Sequence, residues 1–239
     1  MTSSLVGSEM CIRDRYKLPL QEKKDILCSC IYGIDIDIHA VEVAKFSLLI
    51  KLIEDETAPS VSEVVPILPD LGDNIQFGNS LVSQTELNGI SGANHQMMEI
   101  APFDWSTINN GCGFDVIIGN PPYVNTEGMH ALLPSAEVEI YKKKYKTSHK
   151  QFDKYFIFIE QAINKINENG LVCYIVPNKF FKIGAGEKLR NLIAKERMLV
   201  SLDDFGDAQL FEDKTIYSSI ILLSKAKPVS YTHLTLPTI

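Results

Sequence analysis

Residues 114 to 123 read Phe-Asp-Val-Ile-Ile-Gly-Asn-Pro-Pro-Tyr, an apolar run patterned as a buried strand and broken at Asn120-Pro121-Pro122-Tyr123. The tetrapeptide places a side-chain amide oxygen, a carbonyl with no neighbouring backbone donor and an aromatic face at the end of one strand. That set suits the grip of a planar NH2 group. The chemistry it points to is methyl transfer to an amino nitrogen.

Such a group needs a scaffold, and the chain supplies one in alternating pieces. Ile31 to Asp37 alternates like a strand and stops on acids, and Asp37 stands as N-cap to a helical pattern from about His39 to Glu54. Val41, Ala44, Phe46, Leu48, Leu49 and Leu52 are its expected apolar face. Residues 54 to 73, with three prolines, read as loop, and Ile75 to Leu81 as a short strand ending at Gly78-Asn79-Ser80. Beyond Asn120, residues 124 to 150 look like an active-site insertion. Phe152 to Asn167 reads as a helix closed by Gly170, Leu171 to Val176 as a strand, Gly186 to Glu196 as a helix, and Met198 to Asp204 and Ile216 to Ser224 as strands. Strands alternating with helices predict an α/β fold with a mostly parallel, helix-covered sheet. Ligands on such sheets lie at the carboxyl ends of the strands, where Asp35, Asp37, Asn79 and Asn120 all fall.

Composition narrows the partners. With 239 residues, 45% hydrophobic and 22% charged, the chain can build one sizeable core, and one domain is the default expectation. A net charge of −7 argues against this segment alone holding a long stretch of nucleic acid, because phosphate contacts need clustered Lys and Arg. Cys28, Cys30, Cys112 and Cys173 lack paired metal-ligand spacing and read as reduced, buried thiols of a cytoplasmic protein. No apolar run is long enough to span a bilayer, so no membrane partner is expected.

The two ends carry a different signal. Met10-Cys-Ile-Arg-Asp-Arg15 can be encoded as ATG TGT ATA AGA GAC AG, whose reverse complement translates to Val-Ser-Tyr-Thr-His, and residues 229 to 233 are Val-Ser-Tyr-Thr-His. Both ends resemble a transposon-end adapter used in library preparation. Residues 1–15 and 229–239 are therefore expected to be adapter-derived, and the segment between them an internal piece of a longer protein.

Four segments in order carry a resemblance: Ile31 to Lys45 (IYGIDIDIHAVEVAK), Phe77-Gly-Asn-Ser-Leu81, Asn120-Pro-Pro-Tyr123 and Val176-Pro-Asn-Lys-Phe-Phe181. Together they resemble the adenine-N6 methyltransferase domain of fused, type IIG-like restriction-modification enzymes, over nearly everything from residue 25 to 226. The resemblance implies a Rossmann-like methyltransferase sheet across residues 16–228, truncated at its first strand, with S-adenosylmethionine as cofactor and double-stranded DNA as partner. It also implies a target-recognition domain and a possible fused or associated nuclease outside this chain.

Carried over by position, the resemblance makes Asp35 the acceptor for the cofactor's ribose hydroxyls, Ile36 a packing surface for its adenine and Asn79 a contact to the adenine edge. Gly78-Asn79 also reads as a plain turn. Asn120 and the Pro121 carbonyl become acceptors for the two N–H bonds of the target amine, Pro122 helps to fix the turn, and Tyr123 stacks on a base flipped from the duplex. Phe211 matches the second aromatic, closing on the base from its other face. The Tyr141-Lys-Lys-Lys-Tyr-Lys146 run could follow the DNA backbone, and as a charge run it reads better as a solvated face. His39, His95, His130 and His149 show no ligand spacing, so no metal is expected.

One departure stands out: no glycine-rich cofactor loop occurs in residues 16 to 30. The fragment alone is thus expected to bind the cofactor poorly and to be inactive. The same tetrapeptide would serve a cytosine-N4 or a protein-glutamine methyltransferase. A non-catalytic DNA-binding subunit would be expected to lose Asn120 or Tyr123. A nicotinamide-dependent dehydrogenase is disfavoured because no Gly-x-Gly-x-x-Gly element precedes Asp35.

Overall fold

The computed structural model of the chain describes residues 18–54, 56–57, 65–88, 96–209 and 217–226. The chain divides into two compact units, Met1–Gly78 with Thr107–Asn109, and Asn79–Ser106 with Asn110–Ile239.

In the first unit α1 (Leu20–Cys30), β1 (Gly33–Asp35), α2 (Ile38–Ile53) and β2 (Ile75–Phe77) follow one another. β1 and β2 pair in parallel, Gly33 opposite Ile75 and Asp35 opposite Phe77. The strand expected to reach Asp37 stops at Asp35. There the Asp35 carboxylate accepts the Asp37 N–H at 2.8 Å and turns the chain. Asp37 then caps α2 as expected, its carboxylate accepting the His39 N–H at 2.9 Å. Val41, Ala44, Leu48 and Leu52 form one stripe of α2 against Leu20, Leu27, Leu71 and Ile75. Phe46 corrects the expected face: five residues past Val41 it is turned about 140° around the helix, and it is 66% exposed. Buried Asn74 went unnoticed in the sequence. Its amide donates to the carbonyls of Cys28 (2.8 Å) and Ile31 (2.9 Å), which the end of α1 leaves without helical partners.

The second unit contains the short helices α3 (Gln84–Leu87) and α4 (Met97–Ile100), then β3 (Phe114–Gly119), α5 (Thr126–Leu132), α6 (Ser135–Lys144), α7 (Lys154–Lys165), β4 (Ile166–Pro177), α8 (Glu187–Lys195), β5 (Leu199–Gln209) and β6 (Tyr217–Ser224). Its sheet runs β3-β4-β6-β5, with β3 parallel to β4 and the other ladders antiparallel. The α/β architecture expected from alternating helices and strands is the one observed. Its antiparallel end has a simple cause: seven residues join β5 to β6, too few for the crossover that a parallel pair requires.

α7 forms the middle of this unit's core. Tyr155, Phe156, Ile157, Ile159 and Ile163 are all buried, together with Val172, Tyr174 and Val176 of β4 and Ile221 and Leu223 of β6. A helix buried on so many sides must satisfy its polar side chains internally. Glu160 accepts the N–H groups of Lys146 and Thr147, and Gln161 donates to the Ser80 carbonyl at 3.0 Å. The helix ends at Lys165, so Gly170 does not close it. Gly170 lies instead in the irregular start of β4, where a Cβ would come within 2.8 Å of the Phe114 carbonyl oxygen and 2.7 Å of the Ile166 Cβ.

The stretch from 124 to 150 holds the helices α5 and α6, and α6 contributes Val138, Ile140 and Tyr141 to the core. Tyr141 and Tyr145 face inward while Lys142 and Lys143 are exposed, so this run has a solvated lysine face. The cysteines correct another expectation. All four described ones are free, yet Cys30 at the end of α1 and Cys112 in the loop before β3 are exposed, and Cys28 and Cys173 are only partly covered. Among the described residues no helix is long and apolar enough to cross a membrane.

Candidate active site

β3 delivers the tetrapeptide, ending at Gly119 with Asn120 exposed immediately after it, but it is not the buried strand its apolar run suggests: Val116 and Ile118 are exposed among the described residues. Pro121 is buried and Pro122 exposed, and no donor among the described residues is bonded to the Pro121 carbonyl. The half-buried Tyr123 turns back: its hydroxyl donates towards the Asn120 amide oxygen and towards the Ile175 carbonyl of β4, the latter at 3.1 Å. Burial raises the Tyr123 pKa above the ordinary phenol value, so the hydroxyl keeps its proton at neutral pH. Its ring meets the Tyr155 ring edge to face at 6.3 Å.

The chain beyond Tyr123 is pinned at several points. The Lys154 N–H donates to the Val124 carbonyl at 2.7 Å, and Thr126 Oγ1 donates to the Phe152 carbonyl at 2.8 Å. Asn125 caps α5 by accepting the Gly128 N–H. Behind this turn, Tyr155 donates to the Pro177 carbonyl at 3.2 Å, and Lys179 of the Val176–Phe181 segment bonds the buried Asp153 carboxylate at 2.9 Å. Asn178 donates to Asp204 at 2.8 Å. These supports were missed in the sequence. Asp153 looks like an N-cap to α7, but its carboxylate makes no cap bond and takes Lys179 instead.

Asn79 stands apart from its simplest reading as an open strand-end contact. It is 4% exposed, its Nδ2 donates to Glu137 Oε1 at 3.0 Å, and its Oδ1 accepts the Leu81 N–H at 3.1 Å. In the other unit, Asp35 is exposed, uses Oδ1 for the turn and leaves Oδ2 as an unused acceptor, while Ile36 is 47% exposed. Asp35 and Ile36 thus present an acceptor and an apolar surface, a combination that fits the ribose and base of a nucleoside cofactor. Phe211 and His95 lie outside the described residues. The structure therefore brings Asn120 and Tyr123 into direct contact, and places Asp35 and Ile36 side by side at the end of β1.

A profile of the family described as Eco57I restriction-modification methylase matches residues 29–211. The chain is also 45% identical over 210 residues to the type II restriction enzyme and methyltransferase RM.Eco57I of Escherichia coli, an alignment covering 88% of this chain and 20% of the relative. The chain belongs to the Eco57I restriction-modification methylase family. A second relative of this methylase segment, the type II methyltransferase M.XhoI of Xanthomonas vasicola, is 30% identical over 118 residues, 49% of the chain and 21% of the relative. The segment thus spans about a fifth of the length of these relatives. Among solved structures it resembles a nuclease-deletion mutant of the Type ISP restriction-modification enzyme LlaGI in complex with a DNA substrate mimic. The TM-score is 0.58 at 14% identity, over 90% of this chain and 19% of that one. A DrdV–DNA complex gives 0.58 at 15% identity, over 88% and 21%. At these identities the likeness is one of fold, and it matches the α/β architecture described above.

Proposed function

We propose that the protein carrying this methylase segment transfers a methyl group from S-adenosylmethionine to the exocyclic amino group of a flipped adenine in double-stranded DNA, as part of a restriction-modification or phage-defence system. The observation that carries this reading is the exposed Asn120 amide at the end of β3, held beside Tyr123 and followed by a Pro121 carbonyl without a donor. Family membership supports the methyltransferase class, and adenine is the target proposed within it.

S-adenosylmethionine, when bound, supplies an electrophilic methyl group on a sulfonium. The chain's residues act on the other partner. An aryl amine is a weak nucleophile because its lone pair is delocalised into the ring. Asn120 Oδ1 and the Pro121 carbonyl accept its two N–H bonds, draw them out of plane, and aim the lone pair along one direction. No dedicated base is required, since the methylated ammonium is acidic and loses its proton readily. Pro121 and Pro122, having no N–H, keep competing donors away from the two acceptors. Tyr123 offers its ring as a stacking face for a base that cannot react while inside the duplex. Phe211, as a second stacking aromatic, belongs to this proposal too. On the cofactor side Asp35 Oδ2 accepts from the ribose hydroxyls, Ile36 covers the adenine face, and Asn79 reads the adenine edge. Target recognition and any nuclease are assigned to parts of the protein outside this segment.

Methylation of defined duplexes by the natural protein, with Asn120→Ala as control, tests the reading. Labelled methyl groups recovered on adenine-N6, with loss in the variant, support it. Label on cytosine-N4 or on protein glutamine would move the target, and activity retained in Asn120→Ala would remove the role assigned to the tetrapeptide.

A further inference from the structure

Glu137 of α6 is 1% exposed, and its Oε1 gathers three neighbours. Asn79 Nδ2 donates to it at 3.0 Å, the Tyr141 hydroxyl donates to it, and Lys154 Nζ stands 3.6 Å away. Lys154 itself is 9% exposed, its ammonium 5.5 Å from the centre of the Tyr141 ring. A carboxylate this deep needs such company to satisfy its oxygens. Burial lowers the Lys154 pKa, and Glu137 opposes that shift, in keeping with an ion pair. The same Lys154 donates its backbone N–H to Val124, the residue after Tyr123. One buried cluster therefore touches Asn79 with a side chain and the tetrapeptide turn with the main chain.

The cluster also decides which way the Asn79 amide faces. Turned over, Asn79 would aim its oxygen at the Glu137 carboxylate and its NH2 at the Leu81 N–H, pairing acceptor with acceptor and donor with donor. Only the observed orientation satisfies both neighbours. It leaves Asn79 Oδ1, with one bond from Leu81 and a second lone pair unused, as the acceptor that residue 79 can offer.

We propose that Glu137 and Lys154 are positioning residues for the cofactor: Glu137 locks the Asn79 amide with its oxygen available to the adenine amino group of S-adenosylmethionine, and Lys154 holds Glu137 in place by pairing with it. The proposal rests on the cofactor role given to Asn79 above. It accounts for an amide at this position: beside a buried Glu137, an aspartate at residue 79 would set two carboxylates against each other.

The test is a reciprocal exchange in the natural protein, read as the equilibrium Kd for S-adenosylmethionine without DNA, and as Tm. N79D is expected to weaken binding about tenfold or more by like-charge contact with Glu137, and E137Q about as much by freeing the amide to turn. N79D/E137Q restores one carboxylate facing one amide. Its Kd is expected to return to within about threefold of the unsubstituted protein. Both substitutions keep the side-chain shape, and Tm reports folding in each of the three variants. A double variant no better than the worse single variant overturns the proposal, and so does a fall in Tm with Kd unchanged, which would make the cluster structural only. Asn120→Ala, measured alongside, keeps its Kd and loses methylation. Methylation surviving in that variant would sink the catalytic reading without touching the Asn79–Glu137 exchange. No binding by the unsubstituted protein would overturn the cofactor reading together with the proposal.

Discussion

The end of β1 and the end of β3 are built in opposite ways. The Asp35 side chain is held locally, by a turn to Asp37 two residues on, and is exposed, while its backbone carbonyl accepts the Gly78 N–H from just past the neighbouring strand. Tyr123 is anchored to Ile175, and Val124 to Lys154, across 52 and 30 residues of chain, and Tyr155, Asp153 and Lys179 stand behind them. A flexible, sugar-bearing ligand can be met by one local acceptor that water also reaches. Aligning a lone pair for displacement demands rigidity, and rigidity comes from tertiary contacts between elements distant in sequence. The contrast is one of side chains, a local turn at Asp35 and long-range support at Tyr123.

The sharpest way to break this contrast is at Asn120. Asn120→Ala removes an acceptor from an exposed position, so methylation should fall about 10²- to 10³-fold while Tm holds; an equal loss of stability would show Asn120 to be a structural residue. Lys154→Met is next. It leaves Glu137 buried without its cation, and should lower unfolding free energy by about 3 kcal/mol in a urea titration, a loss that the support of the second unit requires. Asp35→Ala should weaken S-adenosylmethionine binding by about tenfold, with kcat at saturating cofactor nearly unchanged; a fall in kcat alone would contradict its placement on the cofactor side. Smallest is Asp37→Ala, which removes one helix cap and should lower Tm by about 2–4 °C. Methylation at saturating cofactor should survive it, because the cap serves only its own helix.

The same contrast explains what could be read from the amino-acid order. Asp37 as a cap, a strand running into Asn120 and the helix α7 are local patterns, and all three appear in the structure near their expected places, although the strand is not the buried one its apolar run suggests. Glu137 reads as one more acid in the charged helix α6, because nothing within its own turn announces that Asn79 will approach it from 58 residues away. Asp153 and Lys179 escape notice for the same reason. Phe46 misled because an apolar residue in an apolar helix need not share the buried stripe. Gly170 misled because a glycine after a helix resembles a cap, whereas here the close approach of Phe114 and Ile166 excludes a side chain.

One bond at the tetrapeptide bears on how a substrate is admitted. The Tyr123 hydroxyl has a single proton and two acceptors within reach, Asn120 Oδ1 and the Ile175 carbonyl. An incoming amine can therefore take over the amide oxygen while the phenol falls back on the strand carbonyl. Occupying the Asn120 oxygen becomes an exchange of donors, an amine N–H taking the place of the phenol O–H.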